Sequence, residues 1–103
     1  MSNDDVQRLS RVFRALSNKN RLQIFLNLLD ESRLDLAKGR THDCFLANII
    51  SGLRIGAPSI SHHLRELEAA GLIDTEKEGK QLVCSIRPEV MSELAAFFAA
   101  RGT

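Results

Sequence analysis

Apolar residues recur at helical spacing through most of the chain. Between about residues 4 and 16, Val6, Leu9, Phe13 and Leu16 share one stripe, Val12 broadens it, and the arginines fall outside it. That pattern predicts an amphipathic helix. Ser17-Asn18-Lys19-Asn20 is a polar break suited to a turn and a helix N-cap. The run 21–29 sets Leu22, Phe25, Leu28 and Leu29 on one face with Ile24 beside them. A helix apolar over so much of its circumference belongs at the centre of a core. Residues 31–43 are polar and mixed in charge, with Gly39 as a helix breaker, and read as the longest loop.

A short helix fits 45–53 through Leu46, Ile49, Ile50 and Leu53. After a turn at Arg54-Ile55-Gly56-Ala57 comes Pro58, which suits only the first turn of a helix. That helix extends over about 57–70, with Ile60, Leu64 and Leu67 on one stripe and Gly71 as its stop. The period then changes. Residues 72–77 and 81–87 are short and β-leaning, and Glu78-Gly79-Lys80 between them predicts a hairpin with glycine at its tip. Leu82, Cys84 and Ile86 then share one face of the second strand. Pro88 opens a last helix made strongly apolar by Val90, Met91, Leu94, Ala95, Phe97 and Phe98. The expected fold is mainly α with a small β-hairpin (α+β), in the order ααααββα. This is the layout of a winged helix-turn-helix, with the recognition helix near 57–70 and the wing near 72–87. One such domain fills residues 1–103.

Composition narrows the function classes. With 44% hydrophobic and 26% charged residues, the 103-residue chain is ordinary globular material, which excludes a disordered tail or a fibre. No apolar run approaches the ~18 residues that span a bilayer. The polar, acidic start Met1-Ser2-Asn3-Asp4-Asp5 is not a signal peptide. Cys44 and Cys84 are too few for a disulfide framework. The expectation is a cytoplasmic protein with reduced thiols and no membrane partner. A Gly-rich phosphate loop, Gly-Lys-Ser/Thr, His-Glu-x-x-His and Cys-x-x-Cys are all missing from the sequence, which argues against an enzyme and leaves no catalytic residue to name. The formal net charge of +1 neither announces nor excludes a nucleic-acid partner. Residues 1–21, however, carry Arg8, Arg11, Arg14, Lys19 and Arg21 against Asp4 and Asp5, a local sum of +3.

The string Pro58-Ser-Ile-Ser-His-His-Leu-Arg-Glu-Leu-Glu-Ala-Ala-Gly-Leu-Ile73 resembles the recognition helix and first wing strand of ArsR/SmtB-type transcriptional repressors. Residues Phe13 to Leu29 are similar to that family's junction between its first two helices, and Glu78-Gly79-Lys80-Gln81 matches its wing. The resemblance covers most of residues 10–90. It implies a homodimeric repressor on double-stranded operator DNA, in many members released by an effector such as a metal ion or an oxidant.

The residue types fit that reading. A DNA-reading helix needs one apolar face for its own core and one polar face for the major groove. Ser59, Ser61, His62 and Arg65 supply the second: small hydroxyls for close approach, and an arginine for a guanine edge or a phosphate. His63, three residues after Ile60, reads instead as a structural, hydrogen-bonded histidine. Lys77, Lys80 and Gln81 at the wing tip suit the sugar–phosphate backbone, though Glu76 and Glu78 dilute the charge. Val6, Leu9 and Phe13 at one end and Met91, Leu94, Phe97 and Phe98 at the other make an apolar surplus that two-fold pairing of the terminal helices would bury. The family pairs its subunits in this way, which implies an inverted-repeat operator.

The effector sites of the family do not carry over. Where the resemblance implies Cys-x-Cys at the start of the third helix, this chain reads Thr41-His-Asp-Cys-Phe-Leu-Ala47. Residues 88–103 contain no His and no Asp, and no cysteine lies on the second or last helix. His42, Asp43 and Cys44 are weak candidate ligands for a soft or borderline ion, so no cofactor is required and no metal site is assigned. Asp43 equally suits a helix N-cap, Cys44 a small core residue, and Cys84 core between Leu82 and Ile86; no disulfide between the two cysteines is expected. Two other readings stand beside the repressor: a winged-helix protein–protein module that never touches DNA, and a small metal- or thiol-buffering protein. The polar Ser59/Ser61/His62/Arg65 face argues against the first and the low cysteine count against the second.

Overall fold

The computed structural model describes residues 2–36 and 44–102, and of residues 33–36 the backbone alone. Five helices and three strands follow in the order α1 (Asn3–Leu16), α2 (Lys19–Leu36), β1 (Cys44–Phe45), α3 (Leu46–Ile49), α4 (Ala57–Ala69), β2 (Ile73–Glu78), β3 (Gln81–Ile86) and α5 (Pro88–Arg101). The first two helices start at capping side chains. Ser2 and Asp5 form a reciprocal capping box at the start of α1. Asn18 caps α2, its side-chain oxygen accepting from the Arg21 backbone N–H at 3.0 Å.

Helix α2 occupies the middle, as its apolar circumference predicts. Ile24, Phe25 and Leu28 are buried, and the helix packs against α1, α3, α4, β1 and β3. It also runs further than the sequence suggests. The polar stretch that reads as a loop from residue 31 continues the helix to Leu36. Asp30, Glu31 and Ser32 follow Leu29 with no Gly or Pro to stop the turn, and a polar sequence there marks a helix surface as readily as a loop. Residues 37–43, the rest of the expected loop, lie outside the described residues.

The helix expected over 45–53 shrinks to the four residues of α3. Gly52, at φ +83°, holds a left-handed conformation that helical residues do not adopt, and Cys44-Phe45 leave the helix to pair with β3. The hairpin is thus the larger part of a three-stranded antiparallel sheet in the order β1-β3-β2, with Cys44 opposite Cys84 and Phe45 opposite Val83. In the hairpin Glu78 pairs with Gln81, so Gly79-Lys80 is a two-residue turn.

Helix α4 ends in a Schellman motif. The N–H of Gly71 donates to the Glu68 carbonyl at 2.9 Å and that of Leu72 to the Leu67 carbonyl at 3.0 Å, with Gly71 at φ +79°. Leu67 and Leu72, on either side of this turn, are both fully buried. The turn that stops the helix therefore also pins the first wing strand to the core.

Candidate nucleic-acid interface

Ile60, His63, Leu64 and Leu67 form the buried stripe of α4. At 3.6 residues per turn, His62 and Arg65 lie opposite that stripe, with Ser61 on one flank and Ser59 on the other. Ser59, Ser61, His62 and Arg65 are all exposed, and the side chains of the two serines and Arg65 have no hydrogen bond or ion pair to another described residue. Among the described residues the outward face is therefore uncommitted. The start of α4 is open as well. Its N-cap is Gly56, no side chain caps it, Pro58 sits in its first turn, and no acid lies there. The backbone N–H groups of Ala57 and Ser59 are left at the positive end of the helix.

His63 has the structural placement that its position beside the core stripe predicts. It is 7% exposed, and its Nδ1 lies 3.5 Å from Nη1 of Arg21. Burial, with smaller contributions from Arg21 and His62, holds its pKa below the ordinary histidine value. A guanidinium only donates, so this contact needs an unprotonated Nδ1. Arg21 Nε also donates to the Ala15 carbonyl at the end of α1. One arginine thus ties α1, α2 and α4 together, and it is not free for DNA.

The other basic residues of the first 21 divide in the same way. Arg8 is held by Asp5 and, through two nitrogens, by Glu93 of α5. Arg11 and Arg14 are exposed and, with Glu66 and Ala69 of α4, line a shallow cavity of about 260 Å³ beside the reading face. Lys19 is exposed. In the wing, Lys77, Lys80 and Gln81 stand exposed at the tip, with Glu76 and Glu78 on either side of Lys77. Thr75 of β2 donates a hydrogen bond to Glu68 of α4, which couples the wing to the helix.

The seven terminal-helix residues separate into three environments. Val6 (52% exposed), Phe13 and Phe98 (57% exposed) face outward. Phe97 is half-buried, its ring centroid 6.0 Å from Phe13 and 5.1 Å from Phe98, with Arg101 stacked over it. Met91 and Leu94 lie against the core of their own chain, and Leu9 is interior at 4% exposed. No residue of α5 is buried, although the helix is rich in apolar side chains.

Cys44 and Cys84, for which no pairing is expected from the sequence, are register partners on adjacent strands and both buried. They are present as thiols, and burial, then Cys44 and Glu68, pushes the Cys84 thiol up to about 11. Of the weak metal candidates, His42 and Asp43 lie outside the described residues. Among the described residues no three His, Cys, Asp or Glu side chains are grouped to hold a metal ion. No helix among them is long and apolar enough to cross a membrane.

The chain is 35% identical over 80 residues to the cadmium resistance transcriptional regulatory protein CadC of Listeria innocua, a match covering 78% of this chain and 59% of that protein. The chain thus spans less than two-thirds of that relative. It is 32% identical over 85 residues to the transcriptional repressor SdpR of Bacillus subtilis, covering 82% of each. No family model matches. Among solved structures, an ArsR-like transcriptional regulator from Rhodococcus superposes with a TM-score of 0.69 at 24% identity, over 94% of this chain and 81% of that one. A homodimeric winged helix-turn-helix DNA-binding domain from Mycobacterium bovis, described as a possible ArsR-family regulator, gives 0.63 at 20% identity, over 100% and 94%.

Proposed function

The chain belongs to the ArsR/SmtB-type family of winged helix-turn-helix transcriptional repressors, and from that premise we propose that it is a homodimer that represses transcription by occupying an inverted-repeat operator. The observation that carries the proposal is the outward face of α4, exposed and with no side-chain partner among the described residues at both serines and Arg65. A protein-docking face is enriched in Tyr, Trp, Phe and Met, and none of these stands among Ser59, Ser61, His62 and Arg65.

In the proposed complex each α4 enters a major groove. Arg65 reaches the O6 and N7 acceptors of a guanine or a phosphate, and His62 meets base edges or backbone beside it. Ser59 and Ser61 are short enough for the helix to approach the groove floor. The open start of α4 turns the N–H groups of Ala57 and Ser59 toward a phosphate oxygen. Lys77, Lys80 and Gln81 lie along the sugar–phosphate backbone, where they add affinity without reading sequence. Arg11 and Arg14, beside the reading face, extend the same electrostatic footprint. The fixed posture of α4 comes from behind, through His63, Arg21 and the Leu67–Leu72 anchor.

Two-fold symmetry supplies the second copy. Val6, Phe13 and Phe98 form an exposed apolar patch, and pairing α1 and α5 across an axis buries it. The half-sites then lie about one helical turn of DNA, roughly 34 Å, apart. Cadmium resistance is named in several relatives, but the proposal contains no metal-dependent step.

The test is the salt dependence of binding to the protein's own promoter DNA. Each phosphate neutralised steepens the slope of log K against log salt by roughly 0.9. Affinity is expected to fall by about two orders of magnitude or more between about 50 and 200 mM salt, roughly what four or more phosphate contacts produce. Salt-independent binding, or none, contradicts the proposal.

A further inference from the structure

Arg54 is a basic residue that the proposed complex leaves unused. It lies in the turn between α3 and α4, two residues before Gly56, the N-cap of α4. The backbone there is fixed. Gly52 at φ +83° bends the chain after α3, and the Leu53 N–H donates to the Ile50 carbonyl at 3.0 Å. Leu53 and Ile55 are half-buried and packed against the core, whereas Arg54 and Gly56 are exposed. Along a non-helical stretch, side chains that alternate in burial leave the chain on opposite sides. Leu53 and Ile55 therefore anchor the turn and direct Arg54 outward, ahead of the reading helix.

The arginines with described side chains fall into two groups. Arg8, Arg21, Arg87 and Arg101 are engaged within the chain: Arg8 by Asp5 and Glu93, Arg21 by the Ala15 carbonyl, Arg87 by Asp74 and Glu89, Arg101 by the Phe97 ring. Arg11, Arg14, Arg54 and Arg65 have no side-chain partner among the described residues. These four are not scattered. Arg65 is on α4, Arg11 and Arg14 line the cavity against its Glu66 and Ala69, and Arg54 precedes its first turn. No acid occurs between Cys44 and Arg65, so nothing near in sequence neutralises Arg54. The formal charges of the chain nearly cancel, at +1 net. Unpaired guanidiniums gathered along one helix of such a chain mark where an outside anion completes the charge.

We propose that Arg54 holds a phosphate of the DNA backbone at the edge of the groove that α4 enters, and so sets the register of the reading helix. Phosphate contacts fix position and orientation without carrying sequence information. The inference rests on the DNA-binding reading and adds to it a residue that positions α4 and reads no base.

The experiment measures the affinity of the full chain for two duplexes of equal length, its own promoter DNA and a scrambled sequence, across about 50–200 mM salt. The parent, Arg54→Gln and Arg54→Lys are compared, each checked for melting temperature and dimer mass. A dimer carries two copies of Arg54, and each phosphate contact adds roughly 0.9 to the slope of log K against log salt. Arg54→Gln is expected to lower that slope by about 1.8 and to weaken both duplexes at least threefold at the low-salt end, leaving their ratio within about twofold. Arg54→Lys keeps the charge and is expected to keep the parent's slope. A parent slope that survives Arg54→Gln overturns the contact and leaves the repressor reading standing. Weakening confined to the promoter duplex also overturns it, because Arg54 is then reading bases. A lowered melting temperature in Arg54→Gln with an unchanged slope places the guanidinium in the fold and not on DNA. A parent that binds neither duplex refutes the DNA-binding reading, and the contact falls with it.

Discussion

His63 sits one position from the exposed His62, proposed to face DNA, yet its ring is buried against Arg21 behind the helix. Its pKa is lowered by burial first, then by Arg21 and His62. The unfolded chain therefore takes up a proton at this site before the folded one does. The stability from the neutral ring is fully present above the ordinary value of 6.5 and is lost as pH falls below it. The melting temperature is expected to drop between about pH 7 and pH 5 more steeply in the native protein than in His63→Gln, which carries no titrating ring. Equal slopes would show that His63 does not titrate differently on folding. The sequence alone separates His63 from His62, because only the former falls beside the Ile60–Leu64–Leu67 stripe. Its partner is not legible there: Arg21 lies 42 positions away, among arginines that all read as candidate DNA contacts. Only the packing of α1 against α2, α4 and α5 shows that Arg8 and Arg21 are engaged within the chain, while Arg11 and Arg14 have no side-chain partner among the described residues.

At the scale of elements, the join between α4 and the wing carries the reading helix. Gly71 adopts φ +79°, and a Cβ there meets Val90 at an ordinary 3.5 Å, so the obstacle to a larger residue is the backbone conformation and not space. Gly71→Ala is expected to cost about 1–2 kcal/mol, the penalty for an L-residue in the left-handed region, measured by urea denaturation. A neutral substitution would mean that the turn relaxes without harm to the anchor. Helices α1, α4 and α5 and the hairpin are readable because each repeats its period several times or carries a Pro or Gly at its boundary, whereas the helix expected over 45–53 is only the four residues of α3. β1 is not readable, because two residues establish no alternation. It exists through its pairing with Val83 and Cys84, far along the chain. The extension of α2 past Leu29 escapes the sequence for the opposite reason, since polar residues there describe the outside of a helix as well as they describe a loop.

At the scale of the whole molecule, α5 is the element that one chain leaves unfinished. It is apolar, yet none of its residues is buried, and it meets α1 through the Phe13–Phe97–Phe98 cluster and the Arg8–Glu93 pair. The sequence groups seven residues there as one interface. The structure makes Phe98 the sharpest probe, because Leu9 and Leu94 are tied into their own chain and their loss confuses folding with assembly. Phe98→Glu is expected to give a folded monomer in sedimentation, with operator affinity reduced at least tenfold. A Phe98→Glu variant that stays dimeric places the interface elsewhere.

The measurement that bears most directly on the account is the operator affinity of a single-face series in α4: Arg65→Ala, His62→Ala and Ser61→Ala, with Glu89→Ala on α5 as a control away from the reading face. Each variant is checked for an unchanged melting temperature and dimer mass. The account predicts that Arg65→Ala weakens specific binding by about 1–3 kcal/mol, that His62→Ala and Ser61→Ala weaken it less, and that Glu89→Ala leaves it within about twofold. Folded, dimeric variants of all three α4 positions that bind the operator as tightly as the parent would contradict it.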